Sequence, residues 1–159
     1  MEHTAATQPI RARSLGRLAC LATLAAGWLF ATAWGSVVQT QFNLQALVAL
    51  GVDVPPGLRA LTTLQDLAGF APVYAGILAA GWLPALGLAA WLARRRPAWR
   101  TALLTSAAGL GMMAAVRAVD AVAPMPVFID ATRGWPGLLT MAAGAALGGL
   151  LYARVTQRT

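Results

Sequence analysis

The chain has no lysine, one cysteine, one histidine and only five acidic residues among 159. Each scarcity removes a class of function. A single Cys20 forms neither an intramolecular disulfide nor a CxxC redox pair, so two-cysteine thiol-disulfide exchange is excluded. The single His3 lies in a polar N-terminal stretch, and without a second histidine the chain alone builds no bis-histidine haem site and no His-rich zinc or copper site. No metal and no cofactor is expected. Serine is equally sparse: Ser14, Ser36 and Ser106 stand near no histidine, and GxSxG, P-loop and HExxH patterns are missing. Asp66 and Asp120 are a conceivable acid-base pair, but no motif flanks either, so no catalytic residue is assigned.

Charge as a whole is scarce. Only 11% of residues are charged while 58% are hydrophobic, and the mean hydropathy is +0.65. That is more apolar side chain than one small soluble core can bury, so a bilayer must act as the remaining solvent. A hydrocarbon core about 30 Å thick takes roughly 20 apolar residues per helix. Four segments qualify, at about 15–38, 67–93, 101–122 and 135–153. The expected fold is therefore an all-α membrane protein, a single four-transmembrane-helix bundle over 15–153. It is flanked by a flexible tail over 1–14 and a short one over 154–159.

The net charge of +7 comes entirely from arginine. Arg11, Arg13, Arg17, Arg94, Arg95, Arg96, Arg100, Arg154 and Arg158 stand beside the ends of apolar runs, which is a topology signal and not the footprint of nucleic-acid binding. The remaining loops hold Asp53, Arg59, Asp66, Asp130 and Arg133. The positive-inside rule then puts both termini in the cytoplasm, and the expected location is a bacterial inner membrane. Trp91, Trp99 and Tyr152 mark one interface and Trp34 and Trp135 the other. The first span admits a second reading, a secretory signal ending at the "ATA" before Trp34, which would leave three spans. The apolar run continues through "WGSVV", long enough to span, so a retained helix is expected.

The connection from Gln39 to Asp66 is too long to be structureless in a compact domain. "FNLQALVALG" carries a helical apolar pattern ending at Gly51, and "PPGLRALTTLQDL" spaces Leu58, Leu61 and Leu64 by three after a proline start. Two short amphipathic helices in this first outer loop, lying on the interface as a cap, lid or docking surface, satisfy both patterns.

Three features could carry function. Pro72 and Pro84 lie inside the second span, where each removes a backbone donor and predicts a kink, a local unwinding or a hinge. Trp82, between them in depth, either fills a gap between helices or lines a pocket. In the fourth span Thr140, Gly144 and Gly148 recur every four residues, a small-residue face suited to close helix packing inside the bundle or against a partner subunit. Finally, Arg117 and Asp120 sit three apart in the last turns of the third span, able to share a face and pair. With Asp66, Asp130 and Arg133 they predict a polar cluster at the far end of the bundle. That cluster is either a site for an ion, a lipid headgroup or a small anion, or a set of brackets fixing loops to helix ends.

Lipoprotein signal peptidases and disulfide-generating membrane oxidoreductases share four spans and a similar length. The first need aspartate motifs and the second cysteine pairs, and this chain has neither. Two roles therefore stand as expectations. One is an accessory or assembly subunit binding a membrane partner or a second copy. The other is a lipid or small-ligand binding protein, or an oligomeric transporter.

Overall fold

The computed structural model describes residues 8–122 and 129–157, with side chains from Gly16 onward. It contains α1 (Gln8–Ala49), α2 (Pro56–Arg95), α3 (Arg100–Val122) and α4 (Trp135–Val155), with 3-10 turns at Pro97–Trp99 and Asp130–Arg133. No strand occurs among the described residues. All four helices are long and apolar enough to cross a membrane, over stretches of 34, 40, 26 and 21 residues. The chain is an all-α, multi-pass four-helix bundle. Residues 1–7 and 158–159 of the expected tails lie outside the described residues, while residues 8–14 are helical and continuous with α1.

Short connections make successive helices antiparallel neighbours, and α1 and α3 each pack on both α2 and α4. The interior is a column of large side chains from α2, Tyr74, Leu78, Trp82 and Leu86, recurring every fourth residue and meeting Leu104, Met112, Leu138 and Met141 of α3 and α4. Trp82 is fully buried and so fills space between helices. Leu18, Leu88, Leu110 and Leu139 point outward, as lipid-facing positions of a spanning bundle should.

Glycine sets how closely the helices approach. A methyl group added at Gly27 of α1 would lie 2.6 Å from the carbonyl oxygen of Gly148 on α4. One added at Gly111 of α3 would lie 2.8 Å from the carbonyl oxygen of Gly81 on α2. At both crossings backbone touches backbone, which is how helices associate tightly in a solvent as apolar as themselves.

The first connection is shorter than the sequence pattern implied. The two helical segments assigned to it do form, but as uninterrupted extensions of α1 to Ala49 and of α2 from Pro56. They are not separate helices lying on the interface. Nothing between Gln39 and Ala49 breaks a helix, since the segment holds neither glycine nor proline, and its polar side chains bond to neighbouring elements. α1 stops where the pattern predicted: Gly51 takes φ +85°, and the amides of Gly51 and Val52 donate to the carbonyls of Val48 and Leu47 at 3.0 and 3.1 Å. This is a Schellman ending, which requires a residue free to turn left-handed. Pro56 then opens α2 at its first turn, where no amide donor is needed.

Of the kink, unwinding or hinge expected at Pro72 and Pro84, local unwinding is not seen. α2 is one continuous helix through both, and both rings are exposed, where they force no neighbouring helix away.

The closing turns of α2 and α4 share one end with the opening turn of α3. Arg94, Arg95, Arg100 and Arg154 lie in the closing or opening turns of α2, α3 and α4. At the opposite end α4 begins beside Gln39, because the 3-10 turn just before it donates the Ala131 amide to Gln39 Oε1 at 2.8 Å. The ten residues of α1 beyond that level, and the matching start of α2, project about 15 Å past α4 at 1.5 Å per residue.

Candidate functional site

At the arginine-poor end several polar side chains bond to one another within the chain. The root of the projecting pair is pinned by Thr40 Oγ1, which donates to Asp66 Oδ2 at 2.7 Å across α1 and α2. One turn outward, Gln41 bridges the same helices: its Nε2 donates to Thr63 Oγ1 at 3.0 Å and its Oε1 accepts from Arg59 Nη1 at 2.8 Å. Gln39 carries the network to the loop before α4 through Ala131, and Thr132 closes that loop by donating to the Ile129 carbonyl at 2.7 Å. Asp130 and Arg133 form an ion pair, Oδ1 to Nε 2.6 Å, on the surface of the same turn. Arg117 is exposed on α3 and Asp120 half-buried one turn later, at the end of the helix.

The local sequence explains this arrangement. Ser36, Gln39, Thr40 and Asn43 recur at three- and four-residue spacing, so a continuous helix brings them to one side. Polar groups held between helices at the edge of hydrocarbon are costly unless paired, and here pairing follows the helix register. Arg59 and Gln41 reach each other because the six-residue turn folds α2 back along α1.

The small-residue face of α4 is occupied from inside the molecule. Gly144 lies against the indole of Trp34, whose Nε1 donates to the Thr140 carbonyl at 2.8 Å. Gly148 lies against the Gly27 backbone, and the Thr140 hydroxyl returns to the Pro136 carbonyl at 2.7 Å. All three residues thus form the seat of α1. Gly144 and Gly148 are thus filled from within the chain, by Trp34 and Gly27.

Several contributors lie outside the cluster read from the sequence. Tyr74 is fully buried with its ring against Gly35, and its hydroxyl, like those of Thr32 and Ser36, has no partner among the described residues. Trp28 Nε1 donates to the Ala75 carbonyl at 3.2 Å, a second strap between α1 and α2. At the opposite end Arg100 donates to the Ala153 carbonyl at 2.8 Å and to Thr156 Oγ1 at 2.7 Å, closing the end of α4. Of these, only the arginine at a helix end carried a signal in the sequence. Tyr74 and Trp28 looked like ordinary aromatic residues of an apolar run.

The projecting pair itself is unusual in another way. Leu47, Leu50, Val52, Leu58, Leu61 and Leu64 are all exposed on it, Leu50 by 81%. Within the described residues no group of three or more His, Cys, Asp or Glu side chains is placed to hold a metal ion. No protein family, no curated protein and no solved structure matches the chain.

Proposed function

We propose that the protein is a non-catalytic accessory or assembly subunit that holds a second membrane protein through the arm formed by the end of α1 and the start of α2. The observation that carries this reading is the exposed apolar flank of the arm, from Leu47 to Leu64, on a segment projecting about 15 Å past α4. A headgroup layer is only about 5–7 Å deep on each side of the hydrocarbon, so lipid does not cover the tip of such an arm. Contiguous apolar surface in water marks an interaction site. A protein surface is therefore the fitting cover, and the arm's internal bonds through Thr40, Asp66, Gln41 and Arg59 make it stiff enough to present one. The alternative, a lipid headgroup or small anion held by the arginines of this end, draws less support at two of the three, because Arg133 is already paired with Asp130 and Arg59 bonds to Gln41.

Photo-reactive side chains placed at Leu50 and at Leu61, and at lipid-facing Leu88 as a control, test the reading in native membranes. The expected result is one discrete protein adduct from both arm positions and none from Leu88. An adduct whose mass is a second copy of this chain would replace the accessory role with self-assembly. No adduct from either arm position would reject docking through the arm.

A further inference from the structure

We propose that the arginine-rich end carries a binding site for one anionic phospholipid, in the groove between α2 and α3 lined by Leu92, Arg96, Trp99 and Leu103. Charge is the first reason. Among the residues with described side chains, the arginines of this end, Arg17, Arg94, Arg95, Arg96, Arg100 and Arg154, stand without a carboxylate, since Asp53, Asp66, Asp120 and Asp130 all belong to the opposite end. No carboxylate of the described residues offsets them, and anionic headgroups supply charge of the opposite sign at a membrane surface.

The arginines are not equivalent: two are engaged by neighbours, and of the uncommitted ones Arg96 lines this groove. Arg100 spends its guanidinium on the Ala153 carbonyl and Thr156. Arg95 stacks on the Trp91 ring at 4.7 Å. The Arg96 guanidinium makes no hydrogen bond or ion pair with any described residue, yet it lines a groove. Its position follows from the sequence. Pro97 disfavours a helical residue before it, so α2 ends at Arg95 and Arg96 adopts φ −137°, ψ 69°. The following 3-10 turn returns the Trp99 amide to the Arg96 carbonyl at 3.0 Å, which brings the indole and the guanidinium out of the same turn.

The groove has the two-part chemistry of a lipid. It is an open depression of about 280 Å³, with Arg96 and the exposed Trp99 toward the helix ends and Leu92 and Leu103 within the spans. A guanidinium fork suits a phosphate, an interfacial indole suits the glycerol level, and leucines suit the start of an acyl chain. Topology alone needs only net positive charge at this end. It does not need an uncommitted arginine paired with a tryptophan over an apolar slot.

Native mass spectrometry of the full chain in a mild detergent, titrated with phosphatidylglycerol or with phosphatidylcholine of the same acyl chains, tests the site. The wild type should retain phosphatidylglycerol in preference to phosphatidylcholine. Arg96→Gln should weaken that retention about fivefold, the worth of one arginine beside an anionic surface. Arg154→Gln, which removes an equal charge outside the groove, should leave it unchanged. Both side chains are exposed, and unaltered unfolding midpoints will confirm that the variants fold. Equal retention of the two lipids, or equal loss in the two variants, would overturn the proposal. So would displacement of the lipid by inorganic phosphate, because recognition would then lie in the phosphate alone.

Discussion

The contact between Gly27 and Gly148 gives the fold its sharpest quantitative test. In Gly27→Ala the new methyl group would lie 2.6 Å from the Gly148 carbonyl oxygen and 3.2 Å from its carbon. Neither atom can rotate away, since both belong to the backbone of α4. Moving from 2.6 Å to the 3.4 Å of ordinary contact requires α1 and α4 to separate by about 0.8 Å. Separation loosens the whole seam, including the seat of Trp34 on Gly144, and overpacking of this kind costs about 1–3 kcal/mol. Replacing glycine by alanine inside a helix returns about 0.8–1 kcal/mol. With backbone on both sides the cost falls in the upper part of its range, leaving a net loss of about 1–2 kcal/mol and a fall in unfolding midpoint of about 2–8 °C. Gly76 and Gly87 supply the control, because a methyl group at either meets nothing within 4 Å and Gly→Ala there should be neutral or mildly stabilising. The assay is thermal unfolding in one detergent, followed by the emission of the six tryptophans. Adding Gly148→Ala to Gly27→Ala should cost less than the two changes summed, since the helices need to separate only once. If Gly27→Ala melts no lower than Gly87→Ala, the two backbones do not touch as described and the reasoning fails.

Two further changes probe the polar end and the buried hydroxyls. Thr40→Val should lower stability by about 0.5–1.5 kcal/mol, and a double-mutant cycle with Asp66→Leu should recover a coupling of similar size; additivity of the two changes would mean that the Thr40 to Asp66 hydrogen bond contributes nothing. Tyr74→Phe removes a buried hydroxyl that no described residue partners, so the unfolding midpoint should hold or rise, and a clear fall would show that the hydroxyl is bonded after all.

The end-to-end polarity of the molecule was legible from residue types. Four apolar runs of spanning length, arginines beside one set of ends and carboxylates beside the other, predict a four-helix membrane bundle because lipid admits few other solutions for the backbone. The cap at Gly51 and the start at Pro56 were legible for the same kind of reason, since only glycine turns left-handed without strain and proline needs no donor. That polar residues stand near the ends of spans was legible. Their pairing was not, because Thr40 and Asp66, or Gln41 and Arg59, meet only through the register of two antiparallel helices.

What composition and spacing determined, then, is solvent, helix number and the two unlike ends, since each follows from local chemistry against a bilayer of fixed thickness. Spacing marked Gly144 and Gly148 as a packing face, but only tertiary structure decided that Trp34 and Gly27 of α1 fill it and that Gly76 and Gly87 meet nothing. Tertiary structure also decided that α1 and α2 run on as one stiff arm instead of bending onto the interface. A helix continues wherever its polar side chains find partners, and those partners lie on the neighbouring helix and on the turn before α4.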